Sequence, residues 1–383
     1  MHAYQRLALV LGLLVAAAVQ AAPKVEVIAR GLSNPRGIAF APNGQLFVAE
    51  AGRGGNGKCA LLGDGQNACY GETGALTRID PTGVEAPVQI ISGLPSLAAA
   101  GGFAATGPNS IDFPWAGHGQ MTIGLGAAAS VRPGLGEKSA LFGRLLTVTT
   151  KGRWKVGADI AGFELLNNPV PGGNDSNPYS VATLPARQIV ADAGGNSLTE
   201  VGPTGKMRTL ATFPSRLIEA PPFLNAPPGT MIPMQAVPTA VKQGPDGSLY
   251  VGQLTGFPFP VGAANVYRIP PHGGTPQVFA SGFTNIVGLA FDVLGRLYVL
   301  EIGSGFAGPG GPPLKPPGRL VRVNHDQSHS VIYDQLYYPG GVEIGRDGHA
   351  YVTNFGIVPG RIPGAFPDGG QVLRISLDHR PGH

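Results

Sequence analysis

The chain has 383 residues, 60 of them glycine and 37 proline, with 13% charged residues and a formal net charge of +4. That charge is spread thinly with no basic run, which excludes the electrostatic footprint of a nucleic-acid-binding protein. Glycine and proline at this level signal disorder when unpatterned, but here they punctuate β-branched and aromatic runs, as in a protein of many short strands and tight turns.

Residues 1–21 (MHAYQRLALVLGLLVAAAVQA) carry one arginine, an apolar run over 7–19 and small residues ahead of Pro23. This is the pattern of a secretory signal peptide cleaved after Ala21. The run is short for a membrane span, a retained anchor being the alternative, and no later segment could cross a membrane. Residues 22–383 read as a single domain, secreted or periplasmic and monomeric, because a repeat overrides the length prior for two or three domains.

The repeat begins at GIAFAPNGQLFVAE (37–50), a hairpin whose second strand is apolar and ends in a polar residue. It recurs as NSIDFPWAGHGQMTIGL (109–125), NPYSVATLPARQIVAD (177–192), AVKQGPDGSLYVGQ (240–253), GLAFDVLGRLYVLE (288–301) and GVEIGRDGHAYVTN (341–354). A third strand follows each, at 74–80, 143–149, 196–201, 265–270, 318–323 and 370–375. Unbroken apolar middle strands imply burial on both faces, so the expected fold is all-β, a six-bladed β-propeller of four-stranded blades. Outer strands are evident only at 87–94, 153–160, 207–213, 276–283 and 330–336. KVEVIARGL (24–32) matches the first of these, PVQIISGL. The N-terminal strand is therefore predicted to close the last blade and remove an open sheet edge.

Within the Gly-rich insertion 52–73, Cys59 and Cys69 read as a disulfide in an exported chain; a zinc site would need further ligands. First-to-second and third-to-fourth turns are short and share one plain face. The insertions 52–73, 96–107, 126–142, 162–176, 215–236, 255–264, 303–317 and 356–369 share the other, where function is expected.

Chain direction puts Asn34, Asn109, Asn177, Val237, Asn285 and Tyr338 at the looped channel mouth, with the second-strand ends Glu50, Leu125, Asp192, Gln253, Glu301 and Asn354. Such hard oxygen donors suit Ca²⁺. Glu50, Asn109, Asp192 and Glu301 are the candidate metal ligands, Asp192 and Glu301 the candidate general bases, and Asn34, Asn177, Gln253, Asn285 and Asn354 further ligand-binding positions. The alternative is that these are turn residues and strand ends meeting solvent. His118, His272, His325, His329 and His349 map to the plain face, which disfavours a histidine base at the mouth; the His325-x-x-x-His329 spacing reads as a solvated turn. GSGFAG (303–308) fits a dinucleotide pattern but runs into prolines where no helix can start, and no GxSxG elbow is present. The loops 217–234, 256–262 and 355–367 are apolar, and with Phe257 and Phe259 among them they suggest a lid over a pocket for an apolar or aromatic small molecule, or a contact for a partner protein. The alternative is that these loops pack on one another.

SNPYS (176–180), DAGGNSL (192–198), GPDGSLYVGQLTGFPFPVG (244–262) and RLYVLEIG (296–303) resemble the ScyD/ScyE family, exported propellers named for genes beside those of scytonemin pigment synthesis. The resemblance covers essentially all of residues 22–383; LTGFPFP and DAGGN are its distinctive parts, and the PDG-type turns are shared with NHL-repeat propellers. It implies a secreted or periplasmic six-bladed propeller, accessory to a secondary-metabolite pathway. More distantly the architecture is similar to the gluconolactonase/regucalcin group. There a channel-mouth Glu, Asn and Asp bind a divalent metal and a carboxylate serves as base, which implies a calcium-dependent lactonase or esterase-type hydrolase at Glu50, Asn109, Asp192 and Glu301. A quinone-dependent dehydrogenase is disfavoured, since no histidine reaches the mouth.

Overall fold

Leu46, Phe47, Val48 and Ala49 are all fully buried, and a strand with two buried faces must lie between two layers. Phe47 packs with Phe113, Met121 and Leu146 of the following repeat, whereas Leu46 and Val48 pack with Tyr351 and Val372 of the last one. The same division recurs around the molecule. Clusters link the second repeat to the third, the third to the fourth, the fourth to the fifth and the fifth to the sixth. Each seam is a sheet-on-sheet core, and six seams close a ring.

The computed structural model describes residues 22–115, 117–305 and 314–377. The signal-like segment, the end of GSGFAG and the C-terminal histidines His379 and His383 lie outside the described residues. Blade 1 comprises Pro35–Phe40, Leu46–Glu50, Asn67–Ile79 and Val88–Ala98; blade 2 Pro108–Trp115, His118–Ile123, Arg144–Thr149 and Trp154–Asp159. Blades 3, 4 and 5 repeat the antiparallel order from Pro178–Leu184, Pro238–Gln243 and Ile286–Phe291. Blade 6 has Gly341–Ile344, His349–Asn354 and Gly370–Ser376, and its outer strand is Val25–Leu32, paired from Val25↔Ile375 to Leu32↔Gly370. The N-terminal strand thus closes the ring as the sequence pattern requires.

First strands surround the axis. Gly37, Ser110, Ser180, Ala240, Gly288 and Gly341 form one small-residue level of the channel lining. A Cβ on Gly37 would stand 2.8 Å from Ser110 Cα, so a larger residue there would force neighbouring blades apart. The channel holds a cavity of about 40 Å³, room for a few waters and far below the size of an ordinary ligand pocket. In its lining, Lys242 of blade 4 pairs with Glu343 of blade 6 at 2.9 Å. Burial alone would depress the Lys242 ammonium, but Glu343 and Asp112 outweigh it and raise it.

One local expectation shifts. Blade 2 pairs Pro108 with Ile123 and Ser110 with Thr122. The places matching Asn34 and Glu50 are therefore Gly107 and Ile123, two residues from Asn109 and Leu125. The pairing is also irregular between Asp112 and Trp115. His329 begins the outer strand of blade 5 and is exposed, with its ring stacked on Phe283 of blade 4 at 4.2 Å, and the partial burial of that ring lowers its pKa.

Candidate functional site

The polar residues ending the second strands converge on one role. Glu50 Oε2 accepts Ser33 N–H at 2.6 Å, Glu301 Oε1 accepts Thr284 N–H at 2.7 Å, and Asn354 Oδ1 accepts Tyr337 N–H at 2.7 Å. Asp192, one carbon shorter than Glu, takes Asn177 N–H at 2.6 Å and Gly195 N–H at 3.0 Å with Oδ1, and the Ser176 hydroxyl at 2.6 Å with Oδ2. A main-chain bond answers from the other side: Ala51 N–H to Asn34 O, Ala193 N–H to Asn177 O, Ile302 N–H to Asn285 O and Gly356 N–H to Tyr338 O. Together these bonds clasp the segment leading into each first strand to the end of the second. Gln253 varies the clasp, with Nε2 donating to Ala236 O at 3.3 Å and Oε1 accepting Asn265 N–H at 3.1 Å. In blade 2, where Ile123 holds this place, only the main-chain half remains, Gly124 N–H to Gly107 O. Thr77 and Gln89 complete Glu50, and Arg319 Nε binds Glu301 Oε2 at 2.6 Å. Burial raises the pKa of Glu50 and of Asp192 despite these bonds.

The asparagines staple loops. Asn34 adopts φ 48° and Asn285 φ 53°, left-handed values that asparagine tolerates better than most residues. Asn34 donates to Gly52 O and Gly102 O and accepts Ala105 N–H. Asn285 donates to Leu254 O of blade 4. Asn109 lines the channel cavity and donates to Asn177 Oδ1 at 3.3 Å, which also accepts Leu125 N–H. Of the four residues expected to share a metal, Asn109 alone lines the channel. Among the described residues no group of three or more His, Cys, Asp or Glu is arranged to hold a metal by side chains alone.

Sequence reasoning missed a different concentration of charge. An α-helix, α1 (Ile160–Asn167), interrupts the blade 2 to blade 3 connection and delivers Glu164, which is 1% exposed and whose Oε1 has no hydrogen-bond partner. Asp175 Oδ1 is likewise buried and unpartnered. Both face the Gly194–Gly195 turn that follows Asp192: a Cβ on Gly195 would stand 2.7 Å from Glu164 Oε2, and one on Gly194 3.0 Å from Asp175 Cγ. Burial, then Asp192 and Asp175, push Glu164 up to about 8; burial, then Asp192 and Asp64, push Asp175 up to about 6. The repeat pattern held no hint because Glu164 and Asp175 lie in insertions; the available signal was a pair of acidic residues shortly ahead of DAGGN.

The third feature is an apolar rim. A hairpin of Arg216–Glu219 and Met231–Met234 stands out from blade 4, with Leu217 67% exposed. Between its strands Phe223 meets Phe257 at 6.0 Å, and Phe257 meets Phe259 at 6.4 Å. Val261, 73% exposed, continues the rim. Cys59 and Cys69 form the expected disulfide across a pair of strands in the blade 1 insertion. No helix among the described residues is long and apolar enough to cross a membrane.

Seams, closure and clasps define the class: a six-bladed β-propeller. No family model matches the chain, and no curated protein matches it. Among solved structures it is similar to a glucose dehydrogenase, at 13% identity over 93% of this chain and 100% of that one, TM-score 0.50. It is also similar to an oxidoreductase (glucose dehydrogenase) of Thermus thermophilus, at 17% identity over 92% and 99%, TM-score 0.49. Virginiamycin B lyase of Staphylococcus aureus gives 11% identity over 93% and 100%, TM-score 0.46. At these identities the likeness is one of fold.

Proposed function

We propose that this is an exported binding propeller whose looped face receives an apolar or aromatic small molecule, or the apolar surface of a partner protein, at the rim of Leu217, Phe223, Phe257, Phe259 and Val261. The carrying observation is that rim: Leu217, Phe223, Phe257 and Val261 are exposed on insertions of the looped face, and Phe223, Phe257 and the half-buried Phe259 are in ring contact, an exposure of large apolar side chains that marks an interaction site. The channel cavity is too small to engulf an organic ligand, which favours a molecule laid on the rim. The disulfide and the signal-like N-terminus support export. The resemblance to ScyD/ScyE propellers supports an accessory role in scytonemin-like secondary-metabolite biosynthesis. The alternative, a calcium-dependent hydrolase with Asp192 or Glu301 as base, requires clasps to open, since both carboxylates are fully buried and hydrogen-bonded.

Titration with an apolar aromatic dye such as anilinonaphthalene sulfonate tests the rim. Saturable binding is expected, weakened at least about tenfold in a Leu217→Ser, Phe257→Ser, Val261→Ser variant, the loss of roughly 1.4 kcal/mol or more. A Val293→Ser, Leu294→Ser variant alters equally exposed residues of a plain-face turn and is expected to bind normally. Equal affinities in the two variants would refute the assignment.

A further inference from the structure

Segments from three blades meet at the Gly194–Gly195 turn. Blade 1 sends the disulfide-pinned hairpin, whose tip bonds Gly63 N–H to Gly126 O; blade 2 sends α1 with Glu164; Asp175–Ser176 pairs with Ala127–Ala128. A Cβ on Gly63 would overlap Asp175 Oδ2, so the hairpin tip lies directly against that carboxylate. Among the described residues no Lys, Arg or His forms an ion pair with Glu164, Asp175 or Asp192. Asp192 is satisfied by main-chain N–H groups and Ser176. Glu164 and Asp175 each keep a buried oxygen with no partner.

A buried carboxylate without a partner is strongly unfavourable, and two near one another are worse. Three glycines at the contact points bring main-chain atoms as close to the carboxylates as geometry allows. Two unpartnered carboxylate oxygens on side chains that both approach the Gly194–Gly195 turn are hard donors of the kind Ca²⁺ takes together with carbonyl oxygens and water. Three side-chain ligands are not needed for that. We propose that Glu164 and Asp175 hold a calcium-class divalent cation above the Gly194–Gly195 turn, with Asp192 positioning the turn. The cation would tie the blade 1 hairpin, α1 and the DAGGN segment into one rigid sector of the looped face. This site is separate from the apolar rim, and its test is independent of the proposed function.

Residues 22–383 are stripped with EDTA and melted with calcium or magnesium added. Calcium is expected to raise Tm by about 4 °C at a hundredfold excess over Kd. Glu164→Gln and Asp175→Asn are each expected to abolish the shift, while Glu50→Gln and Glu301→Gln keep it. No shift of the wild-type chain in millimolar calcium, or an undiminished shift in both Glu164→Gln and Asp175→Asn, overturns the proposal. If one of these variants fails to fold, terbium luminescence decides. Calcium-displaceable terbium on the wild-type chain that is lost in the remaining variant supports the site, and its retention there overturns it.

Discussion

Glu301 accepts Thr284 N–H and Arg319 Nε with its two oxygens while fully buried. Alanine at this position leaves a main-chain donor unpaired and removes the guanidinium's partner, a loss of about 3 kcal/mol. Arg319 is 39% exposed, so water recovers part of its share. Glutamine keeps an acceptor for Thr284 and is expected to cost about 1–2 kcal/mol. Urea midpoints at constant m-value check the ranking; equal midpoints for the Ala and Gln variants would mean that the clasp carries no load. At this scale the sequence was half legible. An oxygen-bearing residue at each strand end was visible in every copy but one, because the clasp needs an acceptor. Whether that acceptor faces a ligand, water or its own main chain depends on the side chain's direction at the strand end, which residue type does not encode.

At the scale of elements, α1 is the piece the sequence concealed. IAGFELLN has too few polar residues to show helical periodicity, and its only marker is Asp159. That side chain caps the helix, Oδ1 accepting Gly162 N–H at 2.9 Å, and binds Arg132 at 2.7 Å and Arg144 at 3.0 Å. Burial alone would raise the Asp159 carboxyl, but Arg132, the capped N–H and Arg144 outweigh it and hold it below its ordinary value. A depressed folded pKa means that its stabilisation is present above the unfolded value, near 4, and lost as pH falls through the folded one. Asp159→Asn, still a competent cap, is therefore expected to cost about 1–2 kcal/mol at neutral pH. Its stability should converge with that of the wild type below about pH 4. A gap constant from pH 7 to pH 3 in denaturation experiments would exclude the ion pairs as its source. Six hairpins and their third strands were legible because the unbroken apolar runs of their middle strands are forced by burial between blades. The helix and the Arg216–Met234 hairpin were not, because an insertion answers only to the insertions beside it.

At the scale of the whole molecule, stability depends on closure. Each blade is covered on both faces by its neighbours, so an open ring would leave two faces bare. Val25–Leu32 contributes Ile28, Ala29 and Leu32 to the seam between blades 6 and 1 and pairs along Gly370–Ser376. Fully burying an isoleucine or leucine side chain contributes about 1.5–3 kcal/mol and a methyl group about 0.8 kcal/mol, so loss of the strand removes on the order of 5 kcal/mol before its hydrogen bonds are considered. It also exposes the edge of Gly370–Ser376, an invitation to pairing between molecules. A chain lacking residues 24–32 is expected to melt at least about 6 °C lower and to associate in size-exclusion chromatography. Transferring those residues to a position after Leu377 is expected to restore both properties, since the strand would again pair with Gly370–Ser376. The rescue separates closure from composition. If the transferred strand failed to recover the melting temperature while the shortened chain stayed monomeric, closure would have to be carried by the inner three strands of blade 6 alone. The seam residues Tyr351 and Val372 would then pack against blade 1 without the outer strand, and the match between KVEVIARGL and PVQIISGL would reflect strand-forming composition instead of a common place in the ring.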